Sequence, residues 1–195
     1  MRELLREMEI YAEENKVPII TEKAREKFRQ IIRDMQPERV LEIGTAIGYS
    51  ALLTAGESKA LKEITTLELS EERAALAGSY INRSVYANKI KIIVGNAGDI
   101  LSNLTSKYDF VFIDAAKGQY PDYWRKIQPL LTERATVLAD NVLFRGYVEG
   151  KETAPRRFRT IVKRLREYIS LTESEPGFKT EILHDGDGLA ISRRG

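Results

Sequence analysis

The feature that most constrains this chain is a rhythm. Between Arg39 and Asn141, short apolar runs that end on glycine, an acid or an amide alternate with segments of helical spacing. "RVLEIG" is followed by "YSALLTAGES", and "EITTLEL" by "SEERAALAGSYINRS", in which Ser70 is a natural N-cap ahead of Glu71 and Glu72. "KIKIIVG" leads into "AGDILSNLT", "YDFVFID" into "YPDYWRKIQPLL", and "ATVLADN" closes the series. Strands joined through helices run parallel, and a parallel sheet needs cover on both faces. The pattern therefore predicts an α/β fold with helices on either side of the sheet. The end of the chain breaks the pattern: "KTEILH" and "GLAISRR" flank "DGDG", whose Asp-Gly pairs suit a tight turn, and a closing antiparallel hairpin is expected.

A chain of 195 residues is near the usual size of one domain and can enclose a core without staples. One domain over residues 1–195 is expected, with the first 36 residues as a helical segment packed on it and a helix break at Val17-Pro18. There is no cysteine, so disulfides, thiolate metal sites and cysteine nucleophiles are excluded. The 31 basic and 29 acidic residues nearly cancel, and any nucleic-acid face has to be local. The start of the chain lacks the apolar core of a signal peptide, and no run reaches membrane-spanning length, so a soluble cytoplasmic protein is expected.

Two clusters carry the chemistry. In "LEIGTAIGYS" a strand hands over to a helix through Gly44 and Gly48, where the lack of a side chain lets backbone approach a ligand. The spacing is not the G-x-G-x-x-G that seats a pyrophosphate, which favours a nucleoside without phosphates. The next strand ends at Glu68, placed to accept hydrogen bonds from two ribose hydroxyls, and the third at "GNAGD", where Asn96 and Ala97 could meet a base edge. Further on, Asp114 ends the fourth strand and Asp140-Asn141 the fifth. Two carboxylates and an amide make a hard, oxygen-only set suited to Mg²⁺, although acids and amides at strand ends also serve turns. Lys117, three residues after Asp114, is the natural proton acceptor if a divalent cation lies beside it.

With "LEIGTAIGYSA", "FIDAAKGQY", "DNVLFRG" and "GDGLAIS" in view, the sequence resembles the class I S-adenosylmethionine-dependent methyltransferases. Within them it resembles the metal-dependent O-methyltransferases of the catechol and caffeoyl-coenzyme A type, and most of all the small bacterial tRNA 5-hydroxyuridine methyltransferases. The resemblance implies a Rossmann-like, mostly parallel seven-stranded sheet. It implies S-adenosyl-L-methionine held by Glu42, Gly44, Thr45, Gly48, Ser50, Glu68, Asn96, Ala97 and Asp114, with Ile20 covering the pocket. It implies Mg²⁺ or another divalent cation on Asp114, Asp140 and Asn141, and catalysis by Lys117 and Asp114. Relatives commonly form homodimers.

The acceptor is less constrained. Ala115 and Ala116 stand where catechol enzymes of the family carry bulkier residues, which implies a roomier approach. "PRRFRTIVKRLREYI" sets Arg156, Arg157, Arg159, Lys163, Arg164 and Arg166 on a helical stretch with Glu167 as its only acid, and Arg145 precedes it. Such a face would bind phosphates, and Tyr120, Phe144 and Tyr147 could stack on an unstacked base. The expected function is methylation of 5-hydroxyuridine at the tRNA wobble position. Methylation of a small phenolic acceptor, and a non-catalytic module binding cofactor or RNA, are the alternatives. "RGYVEGKETAPRR" is the expected mobile loop. His184, the lone histidine, and Trp124 are expected to be structural.

Overall fold

The computed structural model describes residues 1–184 and 186–195, without the side chain of Lys23. The expected tight turn between the last two strands includes Asp185, which lies outside the described residues. The chain divides into two compact units, residues 1–97 and 98–195.

The first unit opens with helices α1 (Arg2–Glu14) and α2 (Glu22–Met35). They are separated where Pro18 steers the preceding residue out of helical geometry, and α2 restarts behind Thr21, whose hydroxyl accepts from the Ala24 N–H. Strand β1 (Arg39–Ile43), helix α3 (Tyr49–Glu57), strand β2 (Glu63–Glu68), helix α4 (Glu71–Asn82) and strand β3 (Ile90–Val94) follow. β1 and β2 pair in parallel from Arg39↔Glu63 to Ile43↔Leu67, and β2 and β3 from Ile64↔Ile90 to Glu68↔Val94. β1 and β2 are buried almost throughout, which is why they read as continuous apolar or β-branched runs. β3 is the half-exposed edge. Ser70 caps α4 as expected, accepting from the Arg73 N–H at 3.3 Å.

A short helix, α5 (Ala97–Leu101), begins on the last residue of the first unit. The second unit continues with strand β4 (Tyr108–Ile113), helix α6 (Tyr120–Ile127), strand β5 (Leu131–Asp140), helix α7 (Arg159–Ser174) and the strands β6 (Phe178–Leu183) and β7 (Leu189–Arg194). β4 and β5 are parallel, whereas β7 runs antiparallel to both β5 and β6, so the C-terminal hairpin forms as expected. The strand orders are β3-β2-β1 in the first unit and β4-β5-β7-β6 in the second, and the seven strands make the predicted mostly parallel sheet. One boundary moves. The run "YPDYWRKIQPLL" reads as helix to its end, but α6 stops at Ile127 and residues 128–130 tighten into a 3₁₀ turn. Pro129 lacks the N–H that a further turn needs and disfavours helix in the residue before it.

The core of the second unit is aromatic. Trp124 is 1% exposed, stacks edge-on against Tyr168 and Phe178, and donates its indole N–H to Glu175 at 3.3 Å. Trp124 is structural, as expected. His184 lies exposed at the end of β6, 3.0 Å from Glu149, also consistent with a structural place.

Candidate functional site

The first unit gathers its predicted residues at the carboxyl ends of β1 and β2. The chain leaving β1 turns over β2: the N–H groups of Gly44 and Thr45 both donate to the Leu67 carbonyl, at 3.0 and 3.1 Å. Gly48 takes a φ of +83°, and a Cβ there would press on Ala77 and Ile81 of α4 at 3.3 Å, so both backbone angle and space demand glycine. Beneath the turn lies a closed polar network. Glu42, 2% exposed, accepts from Ser50 and from Thr66, and Thr66 shares a 2.6 Å hydrogen bond with Thr45. A carboxylate this buried persists only because hydroxyls satisfy its oxygens. The network locks Glu42, Thr45 and Ser50 in one arrangement before any ligand arrives.

Glu68, 7% exposed, sits one strand over. One carboxylate oxygen accepts from the Ala46 N–H at 2.9 Å and the other from Ser70 N–H at 3.0 Å. Each oxygen therefore starts with one partner and keeps a further lone pair for a ligand hydroxyl. Ala97 is half-buried and Asn96 exposed, just beyond the end of β3; Ile20 is 4% exposed in the segment joining α1 to α2. Thr66 and Leu69 had no sequence signal. Thr66 looks like any strand threonine, and Leu69, directly after Glu68, is 70% exposed, an unusual position for a leucine beside so much buried surface.

The second unit brings Asp114, Lys117, Asp140 and Asn141 together. Asp114 ends β4, and Lys117 begins a 3₁₀ turn that returns its ammonium to 3.9 Å from an Asp114 oxygen. Asp140 ends β5, and its carboxylate accepts from the Asn141 N–H at 2.8 Å. Asn141 itself has a φ of +56°, a left-handed conformation that asparagine tolerates better than other residues with a side chain. Both carboxyls are raised, and Asp114 acts on Asp140. Burial raises Asp114, with Lys117 opposing. Burial, then the charge of Asp114, pushes Asp140 up to about 6, against the Asn141 N–H and Lys117.

Tyr120 holds this arrangement from behind. Its single hydroxyl proton is shared between the carbonyls of Asp140, at 3.0 Å, and Ile113, at 3.3 Å, and so ties the last residues of β5 and β4. The side chain is fully buried, and burial followed by the charges of Asp114 and Asp140 keeps the phenol protonated. Its expected role as a base-stacking surface is therefore wrong. A tyrosine at a helix start carries no mark in sequence to say whether it faces the core or solvent.

The basic stretch is also partly committed. Arg164 donates to the Gly118 carbonyl at 3.0 Å and pairs with Glu167, and Arg166 donates to the carbonyls of Val148 and Tyr147 at 2.9 and 3.1 Å. Arg166 thereby fastens part of the polar loop expected to be mobile. Phe144, Tyr147 and Phe158 cluster edge-on or tilted, with the guanidinium of Arg145 over Phe144 and Phe158 and that of Arg157 over Phe158.

The O-methyltransferase family model matches residues 1–195. The chain belongs to the O-methyltransferase family. It is 32% identical to a catechol O-methyltransferase of Niastella koreensis over 147 residues, which span 70% of this chain and 66% of that enzyme. A Staphylococcus aureus protein named as a caffeoyl-CoA O-methyltransferase has a similar structure, with a TM-score of 0.88, 36% identity, and coverage of 98% of this chain and 92% of that one. A Podospora anserina methyltransferase bound to S-adenosylhomocysteine superposes with a TM-score of 0.87 at 27% identity, covering 98% of this chain and 88% of that one. As a family member the chain is an S-adenosylmethionine-dependent O-methyltransferase.

Among the described residues no three acids or histidines converge on a metal site. The donor set is instead two carboxylates and one amide, which suits a hard cation that keeps waters and substrate in its shell. The electrostatics agree: burial raises both the half-buried Asp114 and the buried Asp140, the charge of Asp114 raises Asp140 further, Lys117 is the counter-charge to both, and a divalent cation fits that deficit of positive charge.

Proposed function

We propose that residues 1–195 act as one Mg²⁺-dependent O-methyltransferase domain whose acceptor is the 5-hydroxyl of a modified wobble uridine in tRNA. The observation that carries the metal and the chemistry is the pairing of Asp114 and Asp140 at adjacent strand ends with Lys117 3.9 Å from Asp114. Asp114, Asp140 and Asn141 would hold the cation, and Glu42, Gly44, Thr45, Gly48, Ser50, Glu68, Asn96 and Ala97 the methyl donor. The exposed Leu69 offers the adenine an apolar face beside Glu68.

When bound, S-adenosylmethionine supplies an already activated methyl group and Mg²⁺ lowers the pKa of the acceptor hydroxyl. The protein's own task is then positional. Lys117 Nζ, entering the step as the neutral amine, takes the hydroxyl proton. Asp114 then pairs with the ammonium so formed, Tyr120 fixes the strand ends that present both aspartates, and the Glu42 network keeps the glycine turn in its binding shape. Support for RNA comes from Arg145, Arg156 and Arg157, three exposed arginines on the loop that follows Asn141, with the Phe144–Tyr147–Phe158 cluster beside them. A small phenolic acceptor is the second reading, favoured by the similarity to a catechol O-methyltransferase.

The test is methyl transfer from labelled S-adenosylmethionine, with and without Mg²⁺, to tRNA bearing 5-hydroxyuridine, to the same tRNA without that hydroxyl, and to catechol. Metal-dependent label confined to the hydroxylated tRNA is expected. Label in catechol alone would replace the acceptor, and equal label with and without metal in the presence of chelator would remove the metal.

A further inference from the structure

The outer face of α7 and the loop after Asn141 enclose a groove of about 440 Å³ within the second unit. Its cations are Arg159, Lys163 and Arg166, and its one acid is Glu152, exposed on the loop. The three cations recur at four- and three-residue intervals and so share one side of the helix. They are not equally employed. Arg166 already donates to two loop carbonyls, whereas Arg159 and Lys163 make no hydrogen bond or ion pair among the described residues. Arg164, between them in sequence, points elsewhere and is spent on Gly118 and Glu167. Thr153 adds a hydroxyl, and Val162 and Tyr147 add an apolar floor.

Two uncommitted cations, one a planar fork and one a compact point charge, match a phosphate group better than a single carboxylate. The groove has room for a sugar or ring beside a phosphate. Both walls continue into the catalytic elements: the loop begins directly after Asn141, and α7 touches the carbonyl next to Lys117 through Arg164. We propose that this groove seats a phosphate of the acceptor, remote from the hydroxyl that is methylated. The inference rests on the proposed function only in taking the ligand to be the acceptor. Its chemistry is shared by an RNA backbone and by the nucleotide part of a coenzyme A thioester.

The experiment compares wild type with the double variant Arg159→Gln/Lys163→Gln in binding an anticodon stem-loop RNA and coenzyme A across a salt series. Lys16→Gln/Lys27→Gln serves as a charge-matched control, and melting temperature and S-adenosylmethionine affinity check the fold. An RNA ligand is expected to bind the double variant at least about tenfold more weakly, with the log–log salt slope reduced by about two. Unchanged RNA binding with a similar loss for coenzyme A would keep the seat and name the nucleotide as its source. If neither ligand distinguishes the variant from wild type, or the control loses as much, the seat does not exist. The proposed function fails separately, by absence of metal-dependent label in hydroxylated tRNA.

Discussion

Lys117 stands 3.9 Å from Asp114 with its side chain 18% exposed, and two predictions turn on this small neighbourhood. Removing the amine in Lys117→Ala takes away the proposed proton acceptor and leaves the glycine turn untouched. Turnover should fall about 10²–10⁴-fold while S-adenosylmethionine affinity, read by calorimetry, changes little; equal losses would make Lys117 a structural residue. Asp140 supplies the second. Its folded pKa of about 6 lies above the ordinary value of 3.8, so the folded chain holds a proton that the unfolded chain releases between those limits. The stability contributed by this group is fully present below about pH 4 and is lost as pH rises through about 6. Asp114, also raised, acts in the same direction. The melting temperature of chelated protein should therefore decline over that window, less steeply in Asp140→Asn. Added Mg²⁺ should raise it more at pH 7 than at pH 5, because cation and proton compete.

At the scale of elements, Tyr120 and Tyr168 make a contrast within one aromatic core, 5.5 Å apart. The Tyr120 hydroxyl ties β4 to β5, whereas the fully buried Tyr168 hydroxyl has no hydrogen-bond partner among the described residues. Tyr120→Phe should cost about 1–2 kcal/mol in urea unfolding and weaken Mn²⁺ binding by loosening the strand ends. Tyr168→Phe, which deletes an unsatisfied group, should be neutral or stabilising by about 1 kcal/mol. Sequence disclosed the elements far better than these ties. β1, β2 and β4 were legible because strands buried on both faces must be apolar along their whole length, and Asp114 and Asp140 because a polar residue ending such a run needs a reason. Tyr120 and Arg166 were not, since their partners are backbone carbonyls, which every residue has and no residue type advertises. The same cause made the cations of α7 look free for a ligand when two of its arginines are already engaged.

For the whole molecule, the net charge of +2 is too small to steer a polyanion, so the proposed RNA acceptor would have to be attracted by the local group of arginines around the loop after Asn141. Methylation of hydroxylated tRNA should then weaken steeply between 50 and 200 mM salt, roughly, with S-adenosylmethionine binding nearly flat across the same range; matching slopes would place the RNA elsewhere. No helix among the described residues is long and apolar enough to cross a membrane. The clasp made by Arg166 carries a consequence of another kind. It grips Tyr147 and Val148 by their main-chain oxygens alone. Side chains there can change without opening the clasp, so selection can redraw the surface of the loop while its tether to α7 stays as it is. If the acceptor meets this loop, as proposed, such a scaffold moves between acceptors by drift in one segment, and directed evolution of new acceptor range would begin there.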